Sequence, residues 1–114
     1  MEEELSAVHL RLAGVTIEHL PWQDFLKTYD KRDTLFFLDP PYYMAPYYNH
    51  NFELADFEEL ARTLASLKAH FILSINDHSE MRKVFGRFNI RPVNLFYGAA
   101  KNDCIKALEL LITR

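Results

Sequence analysis

Glycine is scarce in this chain, which contains three glycines among 114 residues. No Gly-x-Gly pattern occurs, which excludes the glycine-rich loop that cradles phosphates in many nucleotide-binding proteins. The single cysteine, Cys104, excludes a disulfide within the chain and fits a reducing compartment. The five histidines show no paired ligand spacing, so no metal centre is predicted. Gly-x-Ser-x-Gly is also absent, and serine-hydrolase chemistry therefore has no support.

Long apolar runs and an excess of basic charge are lacking as well. No apolar stretch reaches membrane-spanning length, and the acidic start of the chain has the wrong charge for a secretory signal, so we expect a cytoplasmic protein without a membrane partner. The net charge of −3 is low for an autonomous DNA-binding protein. Between Met81 and Lys101, however, every charged side chain is positive, which suits phosphate contacts. A solvated helix face followed by loops explains the same charges equally well.

Apolar periodicity predicts helices and strands in alternation. The pattern predicts helices over 2–13, 23–29, 54–67 and a segment after Asp77, and strands over 15–20, 34–38, 70–75, 90–97 and 105–112. The last segment alternates like a strand, although its composition favours a helix. The alternation indicates one α/β domain with a parallel-type sheet and right-handed crossovers.

The most informative segment runs from Thr34 to Tyr42. A short apolar run, typical of a buried parallel strand, ends abruptly at Asp39 and is followed by Pro40, Pro41 and Tyr42. Proline donates no backbone hydrogen bond, so the two prolines must lie outside the strand ladder. The sequence therefore predicts a stiff elbow at the carboxyl end of a strand, where open α/β sheets bind their ligands.

These residue types suit a planar substrate that carries an amine. The Asp39 carboxylate and the Pro40 carbonyl could accept N–H groups from the exocyclic amine of a nucleobase, which would localise its lone pair. Tyr42 offers a face on which a flipped base could stack. A Pro-Pro-Tyr sequence also serves as a ligand for WW-type modules, but such ligands usually lie in disordered proline-rich tracts.

Asp39–Tyr42 at the end of an apolar strand resembles the catalytic motif of the D12 class (Dam-like, prophage-type) of adenine-specific DNA methyltransferases. The resemblance extends over much of the chain, through the segments 10–18, 22–25, 74–77, 80–82 and 109–112. It implies a partial class I S-adenosylmethionine-dependent methyltransferase sheet, Rossmann-like, with helices on both faces and one late antiparallel strand. It also implies methyl transfer from S-adenosylmethionine to the N6 amine of an adenine flipped out of double-stranded DNA.

The resemblance assigns further roles. Asp24 would accept a hydrogen bond from the adenine amine of the cofactor and Phe25 would pack on its ring, although a solvated acid and a core side chain are the simpler interpretations. For substrate and DNA contacts the candidates are Tyr43, Tyr47, Tyr48, Asn76, Arg82 and Lys83. The tyrosines are equally well explained as packing on the following helix. Asp77 is interpreted as a helix cap.

Some motifs of the family are not found. The sequence has no Phe-x-Gly-x-Gly motif, no acidic residue closing a second strand and no basic target-recognition region. We therefore expect residues 1–114 to form the C-terminal catalytic portion of a methyltransferase, at best weakly active alone. The strand edge at 35–38 would then be covered by a homodimer or by residues 15–20.

Two other functions fit parts of the sequence. The chain could be a non-catalytic remnant that serves as a dimeric interaction domain. It could also methylate a protein glutamine or another amine, as do related families with Asn-Pro-Pro-Tyr. Asp at position 39 and the downstream motifs argue against this last alternative.

Overall fold

A computed structural model describes residues 2–45, 50–98 and 104–114 as four helices and four strands. The helices are α1 Glu2–Leu12, α2 Trp22–Tyr29, α3 Leu54–Ser66 and α4 Ser79–Val84. The strands are β1 Leu35–Leu38, β2 His70–Asn76, β3 Asn89–Gly98 and β4 Cys104–Thr113. None of the helices in these ranges is both long and apolar enough to cross a membrane.

The four strands form one mixed sheet with the order β1-β2-β4-β3. β1 and β2 are parallel, with Phe36 opposite Phe71, whereas β4 runs antiparallel to both β2 and β3. β3 therefore has the direction of β1 and β2. The prediction of a late antiparallel strand is confirmed, and the ambiguous segment 105–112 is a strand because β2 and β3 both pair with it.

One face of the sheet builds the hydrophobic core. The strands contribute Phe36, Phe71, Leu73, Ile75, Leu110 and Ile112, all buried. The helices contribute Leu26 from α2, Phe57, Leu60, Ala61 and Leu64 from α3, and Met81 from α4, with Phe85 just after it. The four buried residues of α3 recur at the spacing of one helix face, so this helix packs an apolar stripe on the sheet.

The opposite face is bare, and the prediction of helices on both faces is wrong for the described residues. Leu35 and Phe37, which point to this face, are 62% and 66% exposed. Ile72 and Leu111, their neighbours on β2 and β4, are half-buried. α1 forms as predicted, but none of its residues is buried. A helix covers a sheet face only where its apolar stripe is in contact with it, and α1 makes no such contact.

The predicted strand 15–20 is also wrong. These six residues are irregular and exposed, and Ile17 is 80% exposed. A strand requires a neighbour that completes its ladder of backbone hydrogen bonds, and no described strand pairs with this segment. Residues 15–20 therefore do not cover β1, which remains at the edge of the sheet.

A carboxylate joins the loop before β1 to the segment just before β2. Asp30 Oδ1 accepts hydrogen bonds from the backbone N–H groups of Lys68 and Ala69, each at 2.8 Å. The Arg114 guanidinium donates to the Leu67 and Ala69 carbonyls at 2.6 and 3.1 Å. These contacts fix the register at which β1 enters the sheet.

We expect Asp30→Ala to lower the free energy of unfolding by about 1–3 kcal/mol, because two backbone donors lose their charged acceptor. Urea unfolding followed by circular dichroism measures this change. Asp33→Ala is the matched control, since Asp33 is an exposed acid of the same loop. Equal stability of the two variants would contradict the assigned role of Asp30.

Candidate active site

Asp39 lies directly after β1, at the carboxyl end of the two parallel strands. The Ser74 hydroxyl, on β2, donates a hydrogen bond to Asp39 Oδ1 at 3.0 Å. Ser74 is 6% exposed and lies on the same sheet face as Ile72 and Leu111, so a well-ordered strand residue positions the carboxylate. Asp39 itself is exposed and can accept further N–H groups. As predicted, Pro40 and Pro41 lie outside the strand ladder.

An apolar cleft of about 270 Å³ opens beside this carboxylate. Its lining residues are Trp22, Leu26, Phe37, Leu38, Asp39, Pro40, Pro41, Phe52 and Leu60. The rings of Trp22 and Phe52 lie 6.2 Å apart between centroids and are tilted by 41°. Asp39 is the one ionisable group among the lining residues, so the cleft suits a flat apolar ring that presents an N–H group at one edge.

The two tyrosines after the prolines lie outside the lining of this cleft. Tyr42 is half-buried and packs against the core. The Tyr43 ring packs edge-on against His78 at 4.7 Å and against Phe57 at 6.0 Å between centroids. Tyr43 therefore serves in this structure to anchor the turn. The predicted contacts of Tyr47 and Tyr48 lie outside the described residues.

The side-chain amide of Asn76, at the end of β2, holds the same turn by hydrogen bonds to the backbone of Tyr43. Its Oδ1 accepts from the Tyr43 N–H at 2.8 Å, and its Nδ2 donates to the Tyr43 carbonyl at 3.0 Å. The turn includes Met44 at φ 61°, in the left-handed region that side chains rarely adopt. A paired amide contact of this kind can hold a backbone that is strained nearby. Asn76 thus shapes the site through the turn.

Asp77 does not cap α4, so this prediction is wrong. The cap is the His78 ring, whose Nδ1 accepts from the Glu80 N–H at 3.1 Å. Asp77 instead receives two hydrogen bonds from the Arg82 guanidinium, at 2.8 and 2.9 Å, which lower the pKa of its carboxyl group. An arginine five residues downstream competes better for the carboxylate than a single backbone N–H does.

The two basic candidates for DNA contact are on α4 and face solvent. Arg82 is held by Asp77, and its side chain is 47% exposed. Lys83 pairs with Glu80 at 3.3 Å and is 74% exposed. The Lys83 pair is a weak surface pair, so Lys83 could exchange its partner for a phosphate. The two hydrogen bonds of Arg82 to Asp77 make that pair stronger, and a phosphate would have to compete with them.

The two candidates for cofactor binding lie on α2, next to the cleft. Asp24 is an exposed acid in the first helical turn. The Phe25 ring contacts the rings of Tyr29 and Phe36, at 5.1 and 6.0 Å between centroids, and remains 39% exposed. Neither residue lines the cleft, whereas Trp22 and Leu26, one helical turn apart on the same helix, do.

The sequence analysis missed Ser74, Trp22, Phe52 and Glu109. Glu109 lies opposite Asn76 in the β2–β4 register, on the sheet face to which Asp39 points. Burial, and then the negative charge of Asp39, raises the pKa of the Glu109 carboxyl group. The available signal was a single acid within the apolar run of β4. Only the strand register shows that this acid lies close to Asp39.

A mixed α/β sheet with a carboxylate and an apolar cleft at the carboxyl ends of its parallel strands is compatible with a methyltransferase fold. Residues 1–98 match the model of the D12 class N6 adenine-specific DNA methyltransferase family. The match covers most of the chain, so the chain belongs to this family, which points to DNA adenine methylation in general. A comparison with curated protein sequences gives no significant match.

The raised pKa of Glu109 has a definite consequence for stability. An acid whose pKa is higher in the folded than in the unfolded state destabilises the fold when ionised, and the penalty develops as pH rises past its unfolded pKa. We expect Glu109→Gln to raise the melting temperature at pH 7 relative to the natural chain and to have a smaller effect below about pH 4. Thermal unfolding at several pH values measures the difference. A stabilisation that is the same at all pH values would contradict this explanation.

Proposed function

We propose that this protein acts in site-specific N6 methylation of adenine in DNA, with S-adenosylmethionine as the methyl donor and a flipped adenine as the acceptor. Membership of the family supports the class of reaction. The observation that carries the proposal is the Asp39 carboxylate, oriented by Ser74 at the end of β1 and placed beside an apolar cleft.

The chemistry follows from these groups. The lone pair of an exocyclic amine is delocalised into the adenine ring, which makes the amine a poor nucleophile. Acceptance of its N–H groups by Asp39 and by the Pro40 carbonyl localises the lone pair and directs it toward an electrophile. The nitrogen would form a bond to the methyl carbon as the carbon–sulfur bond of the donor breaks and the donor leaves as a neutral thioether. The nitrogen would then lose a proton, which Asp39 can accept. Desolvation by the apolar walls strengthens these hydrogen bonds.

The donor supplies an electrophilic methyl group on a sulfonium. Asp24 and Phe25 fit its adenine end, because an exposed carboxylate there adjoins a partly exposed aromatic ring. No described residue is assigned to its methionine end, so we propose that the chain holds half of a donor site. The isolated chain is then a weak enzyme at best.

The topology supports the finer fold assignment. Three strands of one direction with an antiparallel strand inserted before the last fit the C-terminal half of a class I S-adenosylmethionine-dependent methyltransferase sheet. We further propose, from the sequence resemblance, that residues 1–114 form the catalytic portion of a cytoplasmic enzyme of a prophage or a restriction–modification system. Asp39–Tyr42 is its proposed catalytic motif, in which Tyr42 packs against the core outside the cleft lining and the Trp22 and Phe52 rings line the cleft itself.

Contacts with DNA are proposed for the candidates named from the sequence. Arg82 and Lys83 on α4 would approach phosphates, and Tyr47 and Tyr48 would contact the flipped base or its partner. Asn76 and Tyr43 would act by holding the turn. Because phosphate contacts release counterions, loss of the two cations should weaken DNA binding and reduce its dependence on salt.

Binding of the donor tests the half-site. In calorimetric titration with S-adenosylmethionine we expect weak binding. Asp24→Ala should raise the dissociation constant about tenfold, which corresponds to roughly 1.4 kcal/mol of binding free energy. Asp33→Ala, which removes an exposed acid outside α2, serves as control. Equal affinity of the natural chain and Asp24→Ala would contradict the role of Asp24.

Methyl transfer tests Asp39 directly. Transfer of a labelled methyl group to adenine-containing DNA should fall at least 100-fold, by about 2.7 kcal/mol, in Asp39→Ala, because the amine loses its charged acceptor. Thermal unfolding is measured in parallel, because the substitution also removes the acceptor of the buried Ser74 hydroxyl. The rate is compared at high protein concentration with that of Asp33→Ala. A rate in Asp39→Ala equal to that of the control would refute the proposed mechanism.

A further inference from the structure

The N-terminal arm of the chain, which we define as residues 2–20, carries an exposed apolar surface. Its polar side chain Glu18 contacts the Tyr29 hydroxyl on α2 and raises the pKa of that phenol. All residues of the arm are exposed. Its large apolar side chains are exposed by 43% or more: Leu5, Val8, Leu10, Leu12, Val15, Ile17 and Leu20. Leu5, Val8 and Leu12 recur at helical spacing and form one stripe of α1, with Leu10 on the opposite side.

The second part of the arm has the pattern of a strand that lacks a neighbour. Val15 and Ile17 are two residues apart, so they point to the same side when the segment is extended. Leu35 and Phe37 have the same spacing on β1, which is an edge strand, and both point to the bare sheet face. A segment that adds to β1 would place the two apolar pairs side by side.

The bare face matches α1 in size and charge. An 11-residue helix is about 16 Å long, enough to cover Leu35, Phe37 and their neighbours on β2 and β4. The face carries exposed Arg91 opposite Leu111, whereas α1 begins with three glutamates. Asp39 and Glu109 make its carboxyl end acidic, so charge favours docking of the glutamates at Arg91.

We propose that two copies of this chain exchange their arms. Residues 15–20 of one copy add as a strand to the edge of β1 in the other, and α1 covers the bare sheet face. The exchange is reciprocal, so the dimer contains two equivalent contacts related by a two-fold axis. It closes an exposed edge and buries the largest exposed apolar residues in one step. This inference does not depend on the proposed activity.

Sedimentation equilibrium over a range of protein concentrations tests the exchange. We expect a monomer–dimer equilibrium whose dissociation constant rises at least tenfold in Ile17→Lys and in Phe37→Lys. Both substitutions are at exposed positions, so circular dichroism should show an intact fold. Leu10→Lys is the matched control, because Leu10 is 75% exposed but lies outside the stripe. This control should dimerise like the natural chain.

A mixing experiment separates arm exchange from other contacts. Ile17→Lys has a damaged arm and an intact sheet face, whereas Phe37→Lys has an intact arm and a damaged face. In a mixed dimer the intact arm of Phe37→Lys meets the intact face of Ile17→Lys, so one of the two contacts is restored. An equimolar mixture should therefore associate more strongly than either variant alone. A natural chain that stays monomeric at all concentrations would overturn the proposal. A dimer whose dissociation constant is unchanged in Ile17→Lys would also overturn it, because that result is expected if two β1 edges pair with each other. So would a mixture that associates no more tightly than either variant alone.

Discussion

The end of the β1 ladder is the constraint on which the rest of the site depends. Pro40 and Pro41 cannot donate to the sheet, so the chain must leave it directly after Asp39. The neighbouring strand β2 holds the segment after β1 at two points. Ser74 donates a hydrogen bond to the Asp39 carboxylate, and the Asn76 side chain hydrogen-bonds to the backbone of Tyr43. The position of the carboxylate is thus set by a buried strand. The cleft beside Asp39 forms because the elbow turns toward α2 and α3.

The core explains why this arrangement is stable although the sheet has one bare face. Helices α2, α3 and α4 all contribute buried side chains to the same cluster, centred on Phe57 and Phe85. α3 and α4 connect the parallel strands β1, β2 and β3, which follow one another in one direction across the sheet, so right-handed crossovers place both helices on the same side. The parallel strands are therefore well supported on the side that carries their connections. No described helix packs on the opposite face, which carries Phe37 on its edge strand.

Local patterns predicted the elements well and the pairings poorly. The elbow at Asp39, the helix 54–67 and the strands 70–75 and 90–97 follow from apolar periodicity and proline chemistry, and all are found. The strand 15–20 was wrong because extended backbone becomes a strand only beside a partner. Sequence alone identifies no partner.

The residues of the site were predicted where local sequence determines them and missed where strand pairing does. The position of Asp39 was predicted because prolines and an apolar run mark a strand end. Ser74 and Glu109 were missed because only the register across three strands brings them to Asp39. The cap of α4 was misassigned because Asp77 had a stronger partner in Arg82, which sequence spacing does not reveal.

The central claim is that the elbow presents Asp39 to the amine of a flat ring in the adjoining cleft. NMR titration of the labelled chain with adenosine tests it most directly, with purine riboside, which lacks the amine, as the matched ligand. The account predicts shifts at the indole of Trp22 and the amide of Asp39 with adenosine, and weaker binding of purine riboside. Equal binding of the two ligands, or shifts confined to residues remote from the cleft, would contradict it.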